Sequence, residues 1–131
     1  MKSKITLLSY ILFMFIISIN GQESFCRFEN NTNQFALVTN GVSVPLLIDS
    51  TDYWGILRAT NDLQSDIQKV TSATPVILKN ASPNYKRALI IGSVSKSTVI
   101  QKLLKSKKIN ASDLVGKHEK FLIQTLSNPL P

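Results

Sequence analysis

Residues 56–93 decide the fold, and they read ILRATNDLQSDIQKVTSATPVILKNASPNYKRALIIGS. In the first part of this stretch, apolar residues recur every three or four positions, which predicts one face of a helix. They are Ile56, Ala59, Leu63, Ile67 and Val70. Asp52 is expected to cap the start of this helix. Pro75 ends it, because proline lacks the N–H that a helix interior needs.

Two short apolar runs follow the helix and predict buried strands. The first is Val76–Lys79 and the second is Ala88–Ile91, with turn-forming residues at 80–84 between them. Gly92 and Ser93 then follow the second strand and precede another helix. Anions bind at such places, but no second glycine and no Gly-Lys-Ser/Thr sequence follows, so we interpret this dipeptide as a tight turn.

Five strands and two helices are predicted in all. Phe35–Thr39 and Val44–Asp49 are expected to pair as a hairpin around Asn40-Gly41, the strongest hairpin signal in the chain. A second helix is expected from about Ser97 to Lys105, and a last strand at Lys120–Leu126. This order predicts an α+β fold, with one mixed sheet of about five strands and two helices packed on it.

The N-terminus predicts export. Two lysines precede the apolar stretch 5–19, which suits a signal peptide at residues 1–21 and is short for a membrane span. Residues 22–34 are polar and are interpreted as a linker, and residues 35–131 form one small domain. The expected location is secreted or periplasmic. A membrane-tethered domain with an uncleaved leader is the alternative.

Four pieces of the sequence resemble the N-terminal domain of glycoside hydrolase family 115, the xylan α-1,2-glucuronidases. They occur in the order that the family shows, and the resemblance covers roughly residues 35–131. The pieces are Ile56–Thr71, Ala88–Ser93, Leu114–Ile123 and Asn128–Pro131. The first two also resemble the N-terminal domains of hexosaminidases and of the other α-glucuronidase family, so Gly116–Phe121 and the Asn-Pro-Leu-Pro ending favour family 115.

The resemblance implies a fold and a function. It implies helices packed on a mixed sheet, in a non-catalytic domain at the front of a secreted enzyme that removes glucuronic acid, or its methyl ether, from xylan. The catalytic carboxylates would lie in a barrel beyond Pro131, so the chain resembles a fragment and is expected to be inactive alone. The implied partners are that missing barrel and a xylan-type polysaccharide. The alternative is a free-standing exported domain that binds a polysaccharide or a protein.

The carboxylates of the sequence predict no catalytic residue. Glycoside hydrolysis usually needs two carboxyl groups about 5–10 Å apart across a sugar. Asp62 and Asp66 lie one helical turn apart, but Arg58 and Lys69 are spaced to form surface ion pairs with them. Asp49 and Asp52 bracket a strand-to-helix turn, where capping accounts for at least one of them. Glu23 and Glu29 lie in the leader, and Glu119 lies between lysines in sequence interpreted as solvated.

Metal, cofactor and thiol chemistry are not predicted either. His118 is the only histidine and is flanked by lysines, so it is interpreted as solvent-exposed. Cys26 is the only cysteine and lies in the polar leader, which favours a free thiol without a role over a disulfide to another chain or a catalytic pair with His118. The three glycosylation sequons start at Asn30, Asn80 and Asn110, and they matter only in a glycosylating host.

Charge is distributed unevenly along the chain. Residues 22–78 hold three basic and six acidic side chains, whereas residues 79–131 hold ten basic and two acidic ones. No aromatic residue or arginine interleaves with the lysines at 96–108, so a solvated face is favoured over nucleic-acid binding. Tyr53 and Trp54 begin the long helix, and one of them is expected to pack onto the sheet.

Overall fold

The computed structural model describes Phe28, residues 34–79 and residues 85–129. The helices and strands of the described residues lie in one compact unit, Thr32–Pro131. Several sequence predictions fall outside the described residues. They are the signal peptide at 1–21, most of the linker at 22–34, Cys26, the sequon asparagines Asn30 and Asn80, and the turn at 80–84.

A hairpin opens the unit, as the Asn-Gly signal predicts. Strands β1 (Val38–Thr39) and β2 (Val42–Ser43) pair antiparallel. Asn40 and Gly41 both have positive φ, at 52° and 74°, which is the turn whose twist suits a two-residue hairpin. The predicted second arm was wrong, because Val38–Thr39 pairs with Val42–Ser43, while the strand within residues 44–49 pairs with other strands.

The next strand belongs to a separate, parallel sheet. Strand β3 (Leu46–Ile48) lies between β4 (Ile77–Leu78) and β5 (Leu89–Ile91), in the order β4-β3-β5, and both neighbours run parallel to it. Pro45 precedes β3 and has no N–H with which to continue an antiparallel ladder. Among the described residues the strands divide into sheets of two and three, so the predicted single sheet of five strands is wrong.

Strand β3 forms the centre of the core. Leu46, Leu47 and Ile48 are 0%, 2% and 6% exposed. A continuous apolar run without alternation is typical of a parallel strand that is covered on both faces. One face is contacted by the long helix that follows β3 along the chain.

Helix α1 spans Trp54–Thr71, so the predicted long helix is confirmed. It ends at Ser72, whose φ of 60° is left-handed and whose N–H donates to the carbonyl of Gln68 at 2.7 Å. Asp52 does not cap it, because the N-cap position is Tyr53 and no side chain bonds the first turn there.

The buried stripe of α1 differs from the predicted one. Thr60 and Ile67 are the buried residues of this helix, while Ala59 and Val70 are exposed. At about 100° per residue, Ala59 and Val70 lie roughly 80–100° away from Thr60 around the helix axis. The hydroxyl of Thr60 donates to the carbonyl of Ile56 at 2.9 Å, which satisfies its polar atom inside the core.

Helix α2 spans Thr98–Lys105 and confirms the second predicted helix. Ser97 caps it, and its hydroxyl accepts from the N–H of Ile100 at 3.4 Å. Leu103 is 3% exposed and anchors the helix on the core. The two helices and the small sheets give the predicted α+β class.

The predicted last strand does not form. Residues 120–126 carry no strand, and within the part of the chain that the structure describes no backbone hydrogen bond pairs them with a neighbour. Phe121, Leu122 and Ile123 are 78%, 45% and 60% exposed. Apolar, β-prone sequence becomes a strand only where another backbone is present to satisfy its N–H and C=O groups. Among the described helices, none combines the length and the apolar character that crossing a membrane requires.

Candidate functional site

The carboxyl ends of β3 and β5 meet at one edge of the parallel sheet. After β3, the chain connects to β4 on one side of that strand, and after β4 it crosses to β5 on the other side. The connections therefore diverge between β3 and β5. In open α/β sheets, ligands bind outside the carboxyl ends of the strands at such a divergence. We call the polar side chains at this edge the carboxyl-edge cluster: Asp49, Thr51, Asp52, Ser93 and Thr98.

Asp49 follows β3 directly and is 7% exposed. One carboxylate oxygen accepts from the N–H of Thr51 at 2.9 Å and from its hydroxyl at 2.7 Å. The other oxygen accepts from the N–H and the hydroxyl of Thr98, in the first turn of α2. The Thr98 hydroxyl, followed by the Thr51 N–H, holds the pKa of the Asp49 carboxyl well below its usual range.

Asp52 makes the second link at this edge and is 4% exposed. Its oxygens accept from the hydroxyl of Ser93 at 2.6 Å and from the N–H of Ser93 at 2.8 Å. The N–H of Tyr53 donates to the same carboxylate at 2.7 Å. Asp52 therefore ties the start of α1 to the loop that leaves β5.

The predicted capping roles of these two aspartates take a different form in the structure. Asp49 caps a helix, but this is α2, which begins 49 residues further along the chain. A carboxylate is favourable there because the N-terminus of a helix carries partial positive charge. Asp52 bonds Ser93, which lies 41 residues away in sequence.

The chemistry of the cluster is structural. Among the described residues, every buried side-chain nitrogen or oxygen has a hydrogen-bond partner. A carboxylate that accepts several hydrogen bonds is a weak base, because each bond stabilises its ionised form. Asp49 and Asp52 therefore hold β3, β5 and the two helices together, and the hydrogen bonds to Asp49 make its carboxylate poorly suited to proton transfer.

A turn forms after β5, but it comprises residues 94–96 and so lies just beyond the predicted Gly92-Ser93. The hydroxyl of Ser93 accepts from the N–H of Lys96 at 3.1 Å, and the turn leads into α2. Gly92 itself is needed for close packing, since a Cβ there would lie 2.5 Å from the hydroxyl oxygen of Ser97. The side chain of Ser97 is fully buried, so this contact leaves no room for a larger residue.

The other carboxylates of α1 form surface ion pairs, as predicted. Nε of Arg58 lies 3.9 Å from the Asp62 carboxylate, and Nζ of Lys69 lies 3.3 Å from that of Asp66. All four side chains are about two-thirds or more exposed. Pairs of this kind contribute little to stability and are weak evidence for a site.

The basic residues near α2 are exposed, and so is His118. Lys102 and Lys105 lie in the last turn of α2, where positive charge is favourable to the helix dipole. Lys108 has an additional contact, because its ammonium group donates to the carbonyl oxygens of Asn128 and Pro129 at 2.6 and 3.0 Å. The predicted solvent exposure of these lysines is confirmed.

Tyr53 and Trp54 differ from the prediction, since neither packs onto the sheet. They are 52% and 71% exposed. Arg58 lies over the Trp54 ring, with its guanidinium carbon 5.5 Å from the ring centroid. Lys96 lies over the Tyr53 ring, with its ammonium nitrogen 5.0 Å from the centroid.

The described residues contain no group of three or more His, Cys, Asp or Glu side chains placed to hold a metal ion. No protein-family model matches the chain, and no curated protein matches it either. Sequence reasoning missed Thr51 and Thr98, and it interpreted Ser93 only as part of a turn. The only sequence signal of Thr51 is its position after β3, and that of Thr98 is its position at the start of a helix, where a parallel sheet collects polar groups.

Proposed function

We propose that this chain is a non-catalytic, N-terminal domain of a secreted glycoside hydrolase, resembling that of the family 115 α-glucuronidases that act on glucuronoxylan. The carboxyl-edge cluster carries the proposal. At the edge where a parallel sheet would place its chemistry, both buried aspartates accept hydrogen bonds from serine and threonine residues of the same chain. Such an arrangement supports a scaffold, with bond-breaking groups on other polypeptide.

The exposed run Phe121–Ile123 supports the same proposal. Three consecutive apolar side chains that face solvent are unfavourable unless another surface covers them. In the proposed enzyme, the catalytic barrel and its connecting strand would cover this run and pair with its backbone. The barrel is thus the proposed partner, and export through the N-terminal segment is proposed as the route to the polysaccharide.

Activity is the first test. The purified chain, incubated with glucuronoxylan, is expected to release no glucuronic acid or methylglucuronic acid, because its buried carboxylates are engaged internally. A family 115 enzyme serves as the positive control. Release of either acid by the short chain would contradict the proposal.

The interface is the second test. A family 115 catalytic region that lacks its own N-terminal domain is mixed with this chain, and the complex is measured by co-elution. Phe121→Asp is expected to abolish co-elution, while Val42→Asp serves as the matched control. Val42 is also strongly exposed, at 72%, but lies on the hairpin. Equal loss with both variants, or no complex with the unmodified chain, would count against the proposed partner.

A further inference from the structure

The ammonium group of Lys108 holds the backbone that follows the exposed run Phe121–Ile123. Its Nζ donates to the carbonyl oxygen of Asn128 at 2.6 Å and to that of Pro129 at 3.0 Å, 20 and 21 residues further along the chain. Hydrogen bonds from a charged donor are roughly twice as strong as those between neutral groups. One side chain therefore fixes two consecutive carbonyl groups.

The backbone of Lys108 is itself fixed by the end of α2. Lys107 has a φ of 54°, and its N–H donates to the carbonyl of Leu104 at 3.0 Å. The N–H of Lys108 donates to the carbonyl of Leu103 at 3.0 Å. This pair of bonds around a left-handed residue is the Schellman motif, which closes the last turn of a helix. Because Leu103 is buried, the base of the Lys108 side chain is attached to the core.

Asn128 adopts a backbone conformation that needs support. Its φ is 49°, and it directly precedes Pro129. A residue before proline favours extended backbone, and a positive φ is uncommon outside glycine, although asparagine adopts it more often than most residues. Such conformations persist where surrounding contacts hold them, and the Lys108 ammonium is one such contact.

The segment Lys120–Leu126 lies between two fixed points. Before it, the N–H of Lys117 donates to the carbonyl of Leu114 at 3.1 Å. After it, Pro129 is half-buried and accepts from Lys108. Within the part of the chain that the structure describes, residues 120–126 form no backbone–backbone hydrogen bond, so their N–H and C=O groups are open to a pairing strand. A segment that is ordered before binding loses less conformational entropy when such a strand pairs with it.

We propose that Lys108 is a positioning residue, which orders the segment 120–126 before any partner binds. Its ammonium contacts residues 128 and 129 and acts on the docking segment through them. The inference rests on the proposed function for the identity of the partner, which is the connecting strand of the catalytic region. The ordering itself is a property of this chain alone and is measured without that partner.

The first experiment measures backbone order by ¹⁵N relaxation of the full chain. The amides of residues 121–126 should have order parameters near 0.8 in the unmodified chain and below about 0.6 in Lys108→Met. Lys108→Arg keeps the charge and the donors and should restore the order. Because Lys108 is exposed, the melting temperature of Lys108→Met should stay unchanged, whereas a general structural role would lower it.

Lys105→Met is the matched control, because Lys105 is also an exposed lysine and lies in the last turn of α2. Its relaxation should equal that of the unmodified chain. Low order parameters in the unmodified chain, unchanged order in Lys108→Met, or equal loosening by both methionine variants would each overturn the proposal.

The second experiment measures affinity for the family 115 catalytic region that lacks its own N-terminal domain. Lys108→Met is expected to bind about tenfold more weakly, which corresponds to one charge-assisted hydrogen bond, and Lys105→Met should bind normally. Equal affinity of Lys108→Met and the unmodified chain would refute the positioning role in docking. If the unmodified chain does not bind, the proposed function fails, while the relaxation data still decide whether Lys108 orders the segment.

Discussion

Replacing Gly92 by alanine should destabilise the protein strongly. The new Cβ would lie 2.5 Å from the Ser97 hydroxyl oxygen, 2.6 Å from the Ser97 Cβ and 2.9 Å from Cγ1 of Ile100. Favourable contacts between carbon atoms lie at about 3.5–4.0 Å, so these contacts are roughly 1 Å too short. Ser97 is fully buried and caps α2, so it has no free space into which to move.

The expected cost follows from these contacts. Overpacking of a core typically costs about 1–3 kcal/mol, and three simultaneous contacts place Gly92→Ala near the upper end of that range. For a domain of about 100 residues, each kcal/mol lowers the melting temperature by roughly 4–8 °C. Thermal and urea unfolding, followed by circular dichroism, should therefore show a fall of roughly 12–24 °C.

Two further variants make the reasoning refutable. Gly55→Ala should stabilise the protein by up to about 1 kcal/mol, because Gly55 lies in α1 with nothing within 4 Å of its built Cβ. Ser97→Gly should cost only a few tenths of a kcal/mol as a cap change, yet it removes two of the three short contacts. Gly92→Ala should then cost less in that background. If the two effects simply add, or if Gly92→Ala melts like the unmodified protein, the steric explanation is wrong.

Three more predictions concern acid stability, the core and the surface. Because the folded-state pKa of Asp49 lies below its unfolded value of 3.8, its stabilisation is present above about pH 4 and is lost as the pH falls below that value. The melting temperature of Asp49→Asn should therefore fall less between about pH 4 and pH 2 than that of the unmodified protein. An equally steep fall would contradict the stabilising role of the Asp49 carboxylate. Leu103→Ala should cost about 2–5 kcal/mol in urea unfolding because Leu103 is buried, whereas the exposed Lys105→Ala should change stability by less than about 0.5 kcal/mol. Arg58→Ala, which removes the exposed pair with Asp62, should likewise cost less than about 0.5 kcal/mol, and a larger loss would show that the pair is more than a surface contact.

Local patterns in the sequence predicted most elements correctly. The helices near 56–70 and 97–105 form because their apolar spacing is helical and their ends carry residues that stop or cap a helix. The Asn40-Gly41 turn forms because both residues tolerate positive φ. These outcomes depend on interactions between residues that are close in sequence.

Strand pairing was predicted less well, since it depends on contacts between distant residues. Val44–Asp49 contains a good strand, but its neighbours are β4 and β5 and not the hairpin. Lys120–Leu126 has the composition of a strand, yet the structure places no strand beside it among the described residues. Strand propensity measures how well a residue fits a sheet surface, and it does not select the partner.

By itself, the sequence determined the two helices, the hairpin turn and the apolar segments that build the core. Only the tertiary structure decided that β3 lies between two parallel neighbours and that its end meets the end of β5. That arrangement brings Asp49 to Thr98 and Asp52 to Ser93, across 49 and 41 residues of chain. It also left Trp54 in solvent beside Arg58. The physical reason is that burial and hydrogen bonding across a sheet edge depend on strand order, which no local spacing of residues encodes.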